Sequence, residues 1–337
     1  MRRLSVAVAA TALGLVLGSA GGATIASHAI VASFSPIPGH RIAGFGFDRR
    51  WLALAEDPDT SGGCPIVQIV TTTGGKARSL TRSGGPTCRL GGHFWVRPGA
   101  RAVGVAIVKA LWIVRRGATA IAVKAAPDEP ESVLVQVSGI DQQRGPFLGP
   151  VVATSWLRLF GRYTRGTNGT LAGDVVSGNR RTLWSATGPV LPLGLDDEEH
   201  AISVGAGGSI AMWHAHGARY GRVQNARARA AALDRGLAVL LRFDRRRVDV
   251  RRLSGRRTAS WPVAAGAAPL LDADGGTAVY LAGRSVHELD LATGADRIVA
   301  VTPRGTTVLD AQVEGRLVAY AYRGGPAAAG RVIVLRR

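Results

Sequence analysis

Apolar and polar residues alternate with a period of two along much of this chain, and Gly-containing breaks interrupt the alternation. Between Gly275 and Val301, in GGTAVYLAGRSVHELDLATGADRIVAV, Ala278, Tyr280 and Ala282 face one way. After a break at Gly283, Val286, Glu288 and Asp290 alternate with Ser285, His287, Leu289 and Leu291. Turns at Asp274-Gly275, Gly283 and Thr293-Gly294 separate the runs, so four short strands fit between Ala267 and Val301. The unit predicted is an antiparallel meander.

The same figure, a turn followed by an apolar strand, recurs. It reads FDRRWLALA at 47, RPGARAVGVAI at 97, ATSWLRLFG at 153, LDDEEHAISVG at 195, LDRGLAVLLR at 233, DADGGTAVYLAG at 272 and VEGRLVAYAY at 313. From Asp48 to Gly315 the copies average about 44 residues, inside the ~40 to 50 expected of four-stranded propeller blades. A lone meander cannot cover its faces or edges, whereas a closed ring of meanders removes the ends of the stack. The last copy supplies three strands, TTVLDAQ, RLVAYAY and RVIVLRR, while HAIVASFS precedes the first copy without a sheet of its own. A closing strand near 29–35 is therefore expected to complete the last blade. The prediction is all-β: a seven-bladed propeller of four-stranded antiparallel blades, with six or eight blades as alternatives.

FDRRWLALA, DGGTAVYLA and EGRLVAYAY resemble the Asp-Gly turn and Ala-rich strand of the secreted bacterial β-propellers of the TolB and WD40-like type. VHELDLATG resembles that family's strand ending in Asp-x-x-Thr-Gly. The stretch from Gln136 to Arg229 departs from the pattern, and the Trp-Asp dipeptide and Gly-His pair of WD40 repeats are missing. The resemblance implies a scaffold or binding role, on a fold that hosts many functions.

Composition fits this reading and adds a compartment. The chain has 337 residues, 46% hydrophobic, 19% charged, with 45 glycines, more than one compact core usually holds. Arg2 and Arg3 precede an uncharged run from Leu4 to Ser27. Residues 1–28 are thus expected to be a secretory signal, or else a retained N-terminal anchor helix, and 29–337 a single propeller domain. The expected location is extracytoplasmic: periplasmic, cell-wall associated or secreted, with membrane anchoring through the N-terminus as the variant. Cys64 and Cys88 are the only cysteines, and in an exported chain an even count predicts one disulfide, contributing roughly 3.5 kcal/mol on the chain-entropy account. If strands alternate up and down, both cysteines fall at the same face of their blade.

The formal net charge is +19, and all but three of the 42 basic residues are arginine. An exported protein has no genomic partner, and base-stacking aromatics are not interleaved with the arginines, so nucleic acid is not expected. The densest run is RFDRRRVDVRRLSGRR, in which Arg245, Arg246, Arg247, Arg251 and Arg252 are the candidate anion-binding residues, placed on an outer strand and its two turns. A solvated face in an arginine-biased chain is the plainer alternative. Asp196 and Asp197 with His214 and His216 are candidates for a divalent cation, since histidines at i and i+2 project to one side of a strand. Asp272, Asp274 and Gly275 look like half a calcium loop, or an ordinary turn. The seven tryptophans fall about one per copy, suited to packing between blades.

No cofactor is expected, and no nucleophile motif stands out: Gly207-Gly208-Ser209-Ile210-Ala211 lacks the closing glycine of an esterase elbow. The expected function is a non-catalytic, monomeric binding scaffold for a protein or an anionic cell-envelope polymer. The alternative is a propeller enzyme, a hydrolase, lyase or quinoprotein-like dehydrogenase, with its site at the channel mouth.

Overall fold

Strands this short and this apolar cannot be covered by water on either side, so the sheets they form must be sandwiched between neighbours. The computed structural model describes the backbone of residues 28–337 except 48–50, 61–65, 205–207, 217–218, 254–256, 326–327 and the connections between strands from 80 to 199. Side chains are described chiefly in 28–77 and 200–337.

The architecture is all-β and antiparallel, with almost no helix among the described residues. After β1 (Ala29–Phe34), a first sheet contains β2 (His40–Phe47), β3 (Trp51–Pro58), β4 (Ile66–Thr71) and β5 (Arg78–Ser79). A three-stranded sheet follows, of β6 (Thr81–Gly84), β7 (Thr87–Leu90) and β8 (Phe94–Val96). Next come β9 (Arg101–Ile107), β10 (Leu111–Arg116), β11 (Ala120–Lys124) and β12 (Glu131–Gln136), and then β13 (Phe147–Ala153), β14 (Arg158–Arg165), β15 (Leu171–Ser177) and β16 (Thr182–Thr187). β17 (Leu191–Leu195), β18 (His200–Val204), β19 (Ser209–His216) and β20 (Arg219–Arg227) form another, followed by β21 (Ala230–Asp234), β22 (Leu237–Leu241), β23 (Arg247–Arg252) and β24 (Arg257–Pro262). β25 (Ala267–Asp274), β26 (Thr277–Ala282), β27 (Ser285–Asp290) and β28 (Asp296–Val301) form the sheet predicted from the alternation. In the last, β29 (Thr306–Glu314), β30 (Leu317–Gly324) and β31 (Arg331–Arg336) are joined by β1, paired antiparallel to β31 from Ala29 opposite Arg336 to Phe34 opposite Val332.

The core lies in layers between consecutive sheets. Ala278 and Tyr280 pack with Val239, Leu241 and Val250 of the preceding sheet, whereas Val279 and Leu281, on the opposite face of β26, pack with Val313, Val318 and Ile333 of the following one. All four are at most 2% exposed, which is why the alternation in TAVYLA separates two apolar layers and not core from solvent. β21 lies against β25, β25 against β29, and β29 against β2. Ile42, Phe45 and Leu52 then share a cluster with Ala319 and Val334.

Six of the seven recurrent copies straddle the first and second strands of a four-stranded sheet. The copy at 97 differs, because residues 97–100 separate β8 from β9, which belong to different sheets. A Pro-Gly break looks the same in sequence whether it joins strands within a sheet or between sheets. The extra sheet β6–β8 also takes up part of the long interval after the first copy.

Candidate binding surface

Antiparallel order gives every sheet two ends. At one end lie the turns from first to second strand and from third to fourth. At the other lie the turns from second to third strand and the links from one sheet to the next.

The first end is built of carboxylates bonded across sheets. Asp234, the last residue of β21, accepts hydrogen bonds from the backbone N–H of Gly275 at 3.0 Å and of Gly276 at 2.7 Å, in the first turn of the next sheet. Asp274, the last residue of β25, accepts from Gly315 N–H at 2.6 Å in the sheet after that, and Asp272 from Val313 N–H at 2.8 Å. Asp234, Asp274 and Glu314 fall 40 residues apart, each closing the first strand of its sheet. Asp272 and Asp274, read from sequence as half a calcium loop or a turn, thus spend their carboxylates on backbone donors. Burial, and the nearby Asp310, push the Asp272 carboxyl up to about 7 against its bonds to backbone N–H; burial likewise pushes Asp310 up to about 6.

The same end carries an ion network around a buried carboxylate. Glu288 on β27, 2% exposed, takes Arg337 and Arg297 on Oε1, both at 3.1 Å, and His28 Nε2 lies 3.4 Å from Oε2. Arg337 also donates to Thr277 Oγ1 and to the Gly315 carbonyl. Within the same sheet Tyr280 donates to Asp296 at 2.5 Å, His287 Nδ1 lies 3.1 Å from the other Asp296 oxygen, and the two rings stack at 4.8 Å. Burial, with the Asp296 carboxylate beside it, pushes the Tyr280 phenol up. Trp261 on β24 donates to the Leu291 carbonyl at 2.9 Å and covers Gly294, where an added Cβ would fall 2.2 Å from the indole. Gly294 has φ of 77°, so that turn requires glycine twice over.

The arginine run divides between the two ends. It occupies β23, the third strand of its sheet and not an outer one, with β24 at the edge. Val248, Val250 and Leu253 are buried, and so is Asp249, the centre of a knot. Arg242 Nε reaches both Asp249 oxygens at 3.1 Å, Ser260 donates to Asp249 at 2.7 Å, and Arg251 stands 3.8 Å away. Burial works against the Asp249 charge, but the bonds from Arg242 and Ser260 outweigh it and hold the carboxyl below its ordinary value. Arg247 is bound to the Ser260 hydroxyl at 2.9 Å and to its carbonyl at 2.6 Å. Arg245 and Arg246 sit in the turn before β23, whereas Arg251 and Arg252 close the strand at the opposite end, on the order of 15 Å away at ~3.3 Å per residue.

The second end carries an excess of positive charge. Among the described residues it has Arg229, Arg242, Arg245, Arg246, Arg284, Arg304, Arg323 and Arg331, against the acids Asp59 and Asp244 and, at the end of β3, Asp57 and the buried Glu56. Arg284 donates to the Thr302 carbonyl at 2.7 Å. Two of the exposed large apolar residues are here as well, Phe243 at 48% and Val301 at 51%. Phe243 adjoins Arg245 and Arg246, with the Arg227 guanidinium 5.5 Å from its ring centroid. Neither the acid period nor the exposed phenylalanine had been singled out from sequence, although an acid before the first turn in three successive copies was a signal that could have found the former.

Residues 1–27, Cys64 and Asp196-Asp197 lie outside the described residues. Cys88 is on β7, opposite Ser83 and Val96, so the cysteine pairing is also outside what is described. His214 and His216 are on β19, opposite His200 and Arg219 in the backbone ladder, and their side chains lie outside the described set. Among the described residues there is no group of three or more His, Cys, Asp or Glu suited to a metal ion, and no helix long and apolar enough to cross a membrane.

No protein-family model matches the chain, and no curated protein matches it. Solved structures do. The WD40 domain of Pan2 from Neurospora crassa is 13% identical, with a TM-score of 0.55, over 92% of this chain and 95% of that one. A chain of the mitotic checkpoint complex is 11% identical at 0.57, over 98% and 99%. Sqt1 from Saccharomyces cerevisiae is 8% identical at 0.54, over 93% and 100%. The fold is that of a WD40-like β-propeller.

Proposed function

We propose that this protein is an exported, non-catalytic binding scaffold: a seven-bladed propeller with β6–β8 as an insertion beside the ring, taking a protein or an anionic envelope partner at its arginine-rich end. The observation that carries the reading is the difference between the two ends of the sheets. At one, carboxylates and arginines are bonded to each other and to backbone. At the other, Arg229, Arg245, Arg246, Arg304, Arg323 and Arg331 form no ion pair among the described residues, and the acids at that end are fewer: Asp57, Asp59, Asp244 and the buried Glu56. A surface of that kind attracts anions over a distance set by salt, and guanidinium forks then grip carboxylate or phosphate. The WD40-like fold is consistent with a scaffold, since it presents loops from many sheets on one side.

Retention on immobilised acidic protein and on purified envelope polymer, at low and moderate salt, tests the reading. Arg245→Glu with Arg246→Glu is expected to abolish retention, and Arg235→Glu with Arg316→Glu at the opposite end to leave it unchanged. Equal retention of both variants overturns it. Export is tested by fusing residues 1–30 to a reporter that is active only outside the cytoplasm.

A further inference from the structure

Phe243 is exposed but not loose. The tip of its ring is tucked against Gly208, in the corresponding turn of the preceding sheet, where an added Cβ would lie 2.6 Å from Phe243 Cζ and 2.4 Å from the Ala228 carbonyl. Gly208 has φ of 71° and accepts the Ala228 N–H at 2.9 Å, so the turn under the ring is fixed by backbone. The Arg227 guanidinium covers one side, and 48% of the residue remains open to solvent. Two residues further on, Arg245 holds φ of 54°, a left-handed conformation that glycine or asparagine would adopt at lower cost. The nearest acid, Asp244, has one oxygen engaged by Arg246 N–H at 2.9 Å.

Resting on the scaffold reading above, we propose that this platform, Phe243 with Arg245 and Arg246 in its own turn and Arg229, whose N–H donates to the Leu241 carbonyl, docks an acidic polypeptide segment carrying an apolar side chain among its carboxylates. Charge complementarity requires an anionic partner, and the ring decides among anions. A phosphate or uronate polymer offers charge but nothing to cover an aromatic face. A bilayer rewards a side chain projecting into the acyl region, whereas this ring is folded back onto Gly208. A polypeptide supplies carboxylates for the arginines and a side chain for the ring, and an aromatic already immobilised beside arginines is the kind of anchor that dominates protein interfaces.

The test uses the full chain and three labelled peptides: glutamates interspersed with leucine, the same with serine for leucine, and the leucine peptide with glutamine for glutamate. Polyphosphate and phosphatidylglycerol vesicles serve as further probes. The Glu/Leu peptide is expected to bind most tightly, to lose about tenfold or more in affinity with Arg245→Glu and Arg246→Glu, and to lose about fivefold with Phe243→Ala. Phe243→Ala should barely change binding of the Glu/Ser peptide. Unchanged melting temperatures for all variants establish that the fold is kept. If Phe243→Ala affects both acidic peptides equally, or if vesicles or polyphosphate bind more tightly than the Glu/Leu peptide, the inference falls and the scaffold reading stands. If no anionic probe responds to Arg245 and Arg246, the scaffold reading falls with it.

Discussion

The two ends of these sheets are made from the same few residue types and use them in opposite ways. At the first end arginine is structural: Arg337 and Arg297 enclose Glu288, while Asp234 and Asp274 bind the turns of the sheets that follow. At the second end Arg245 and Arg246 project beside an exposed phenylalanine and have only Asp244 near them in the turn. A buried carboxylate fixes nearby guanidinium groups because leaving either charge unpaired is expensive, whereas an exposed arginine without an acid contributes little to folding and remains available to a partner.

That contrast can be broken most severely at Glu288. Replacing it with alanine leaves Arg337 partly buried without its carboxylate, and a loss on the order of 3 to 5 kcal/mol is expected in denaturant unfolding. Gly294→Ala comes next: its methyl would overlap the Trp261 ring at a positive φ, and about 2 to 3 kcal/mol should be lost together with the change in tryptophan fluorescence that follows displacement of the indole. Asp234→Asn removes charge from bonds to two backbone donors and should cost about 1 to 2 kcal/mol, with peptide binding per folded molecule unchanged.

The pH dependence runs in one direction. Asp272 and Asp310, and Glu56 buried beside Ile37 N–H and Gln68, have folded-state values of about 7, 6 and 7, above those of unfolded carboxyls at about 4. Between roughly pH 4 and pH 7 the folded state therefore binds more protons than the unfolded state, so these groups favour folding at the acid side and their contribution is lost as pH rises. The melting temperature should fall from pH 5 to pH 8, and Asp272→Asn should flatten the profile. A rise over that interval would contradict the assignment. The slightest effect separates the ends most sharply: Arg245→Gly should stabilise by about 0.5 to 1 kcal/mol by relieving a positive φ, while weakening the Glu/Leu peptide. A residue that the fold would be better without, yet the binding surface needs, belongs to function.

The strands themselves were legible because their signal is local. TAVYLA, SVHELD and LVAYAY carry their period within six residues, and the turns are marked by glycine, so the meanders and most of their boundaries follow from the sequence alone. The copy at 97 misled, since a break between sheets has the same composition as a turn within one. The arginine run was visible as composition, but its division was not. A strand sends its two ends to opposite sides, so Arg246 and Arg252, six positions apart in the chain, face different surroundings, while Phe243 meets Gly208 from another sheet.

What the sequence determined was the repeating unit, its average period of about 44 residues and a large excess of arginine, all properties of neighbours along the chain. Which carboxylates are consumed, which arginines are left over and which aromatic ring is held open were decided only when the sheets stacked. Each of those outcomes depends on a backbone N–H, a buried charge or a glycine roughly 30 to 50 residues away, and no local pattern records such distant partners.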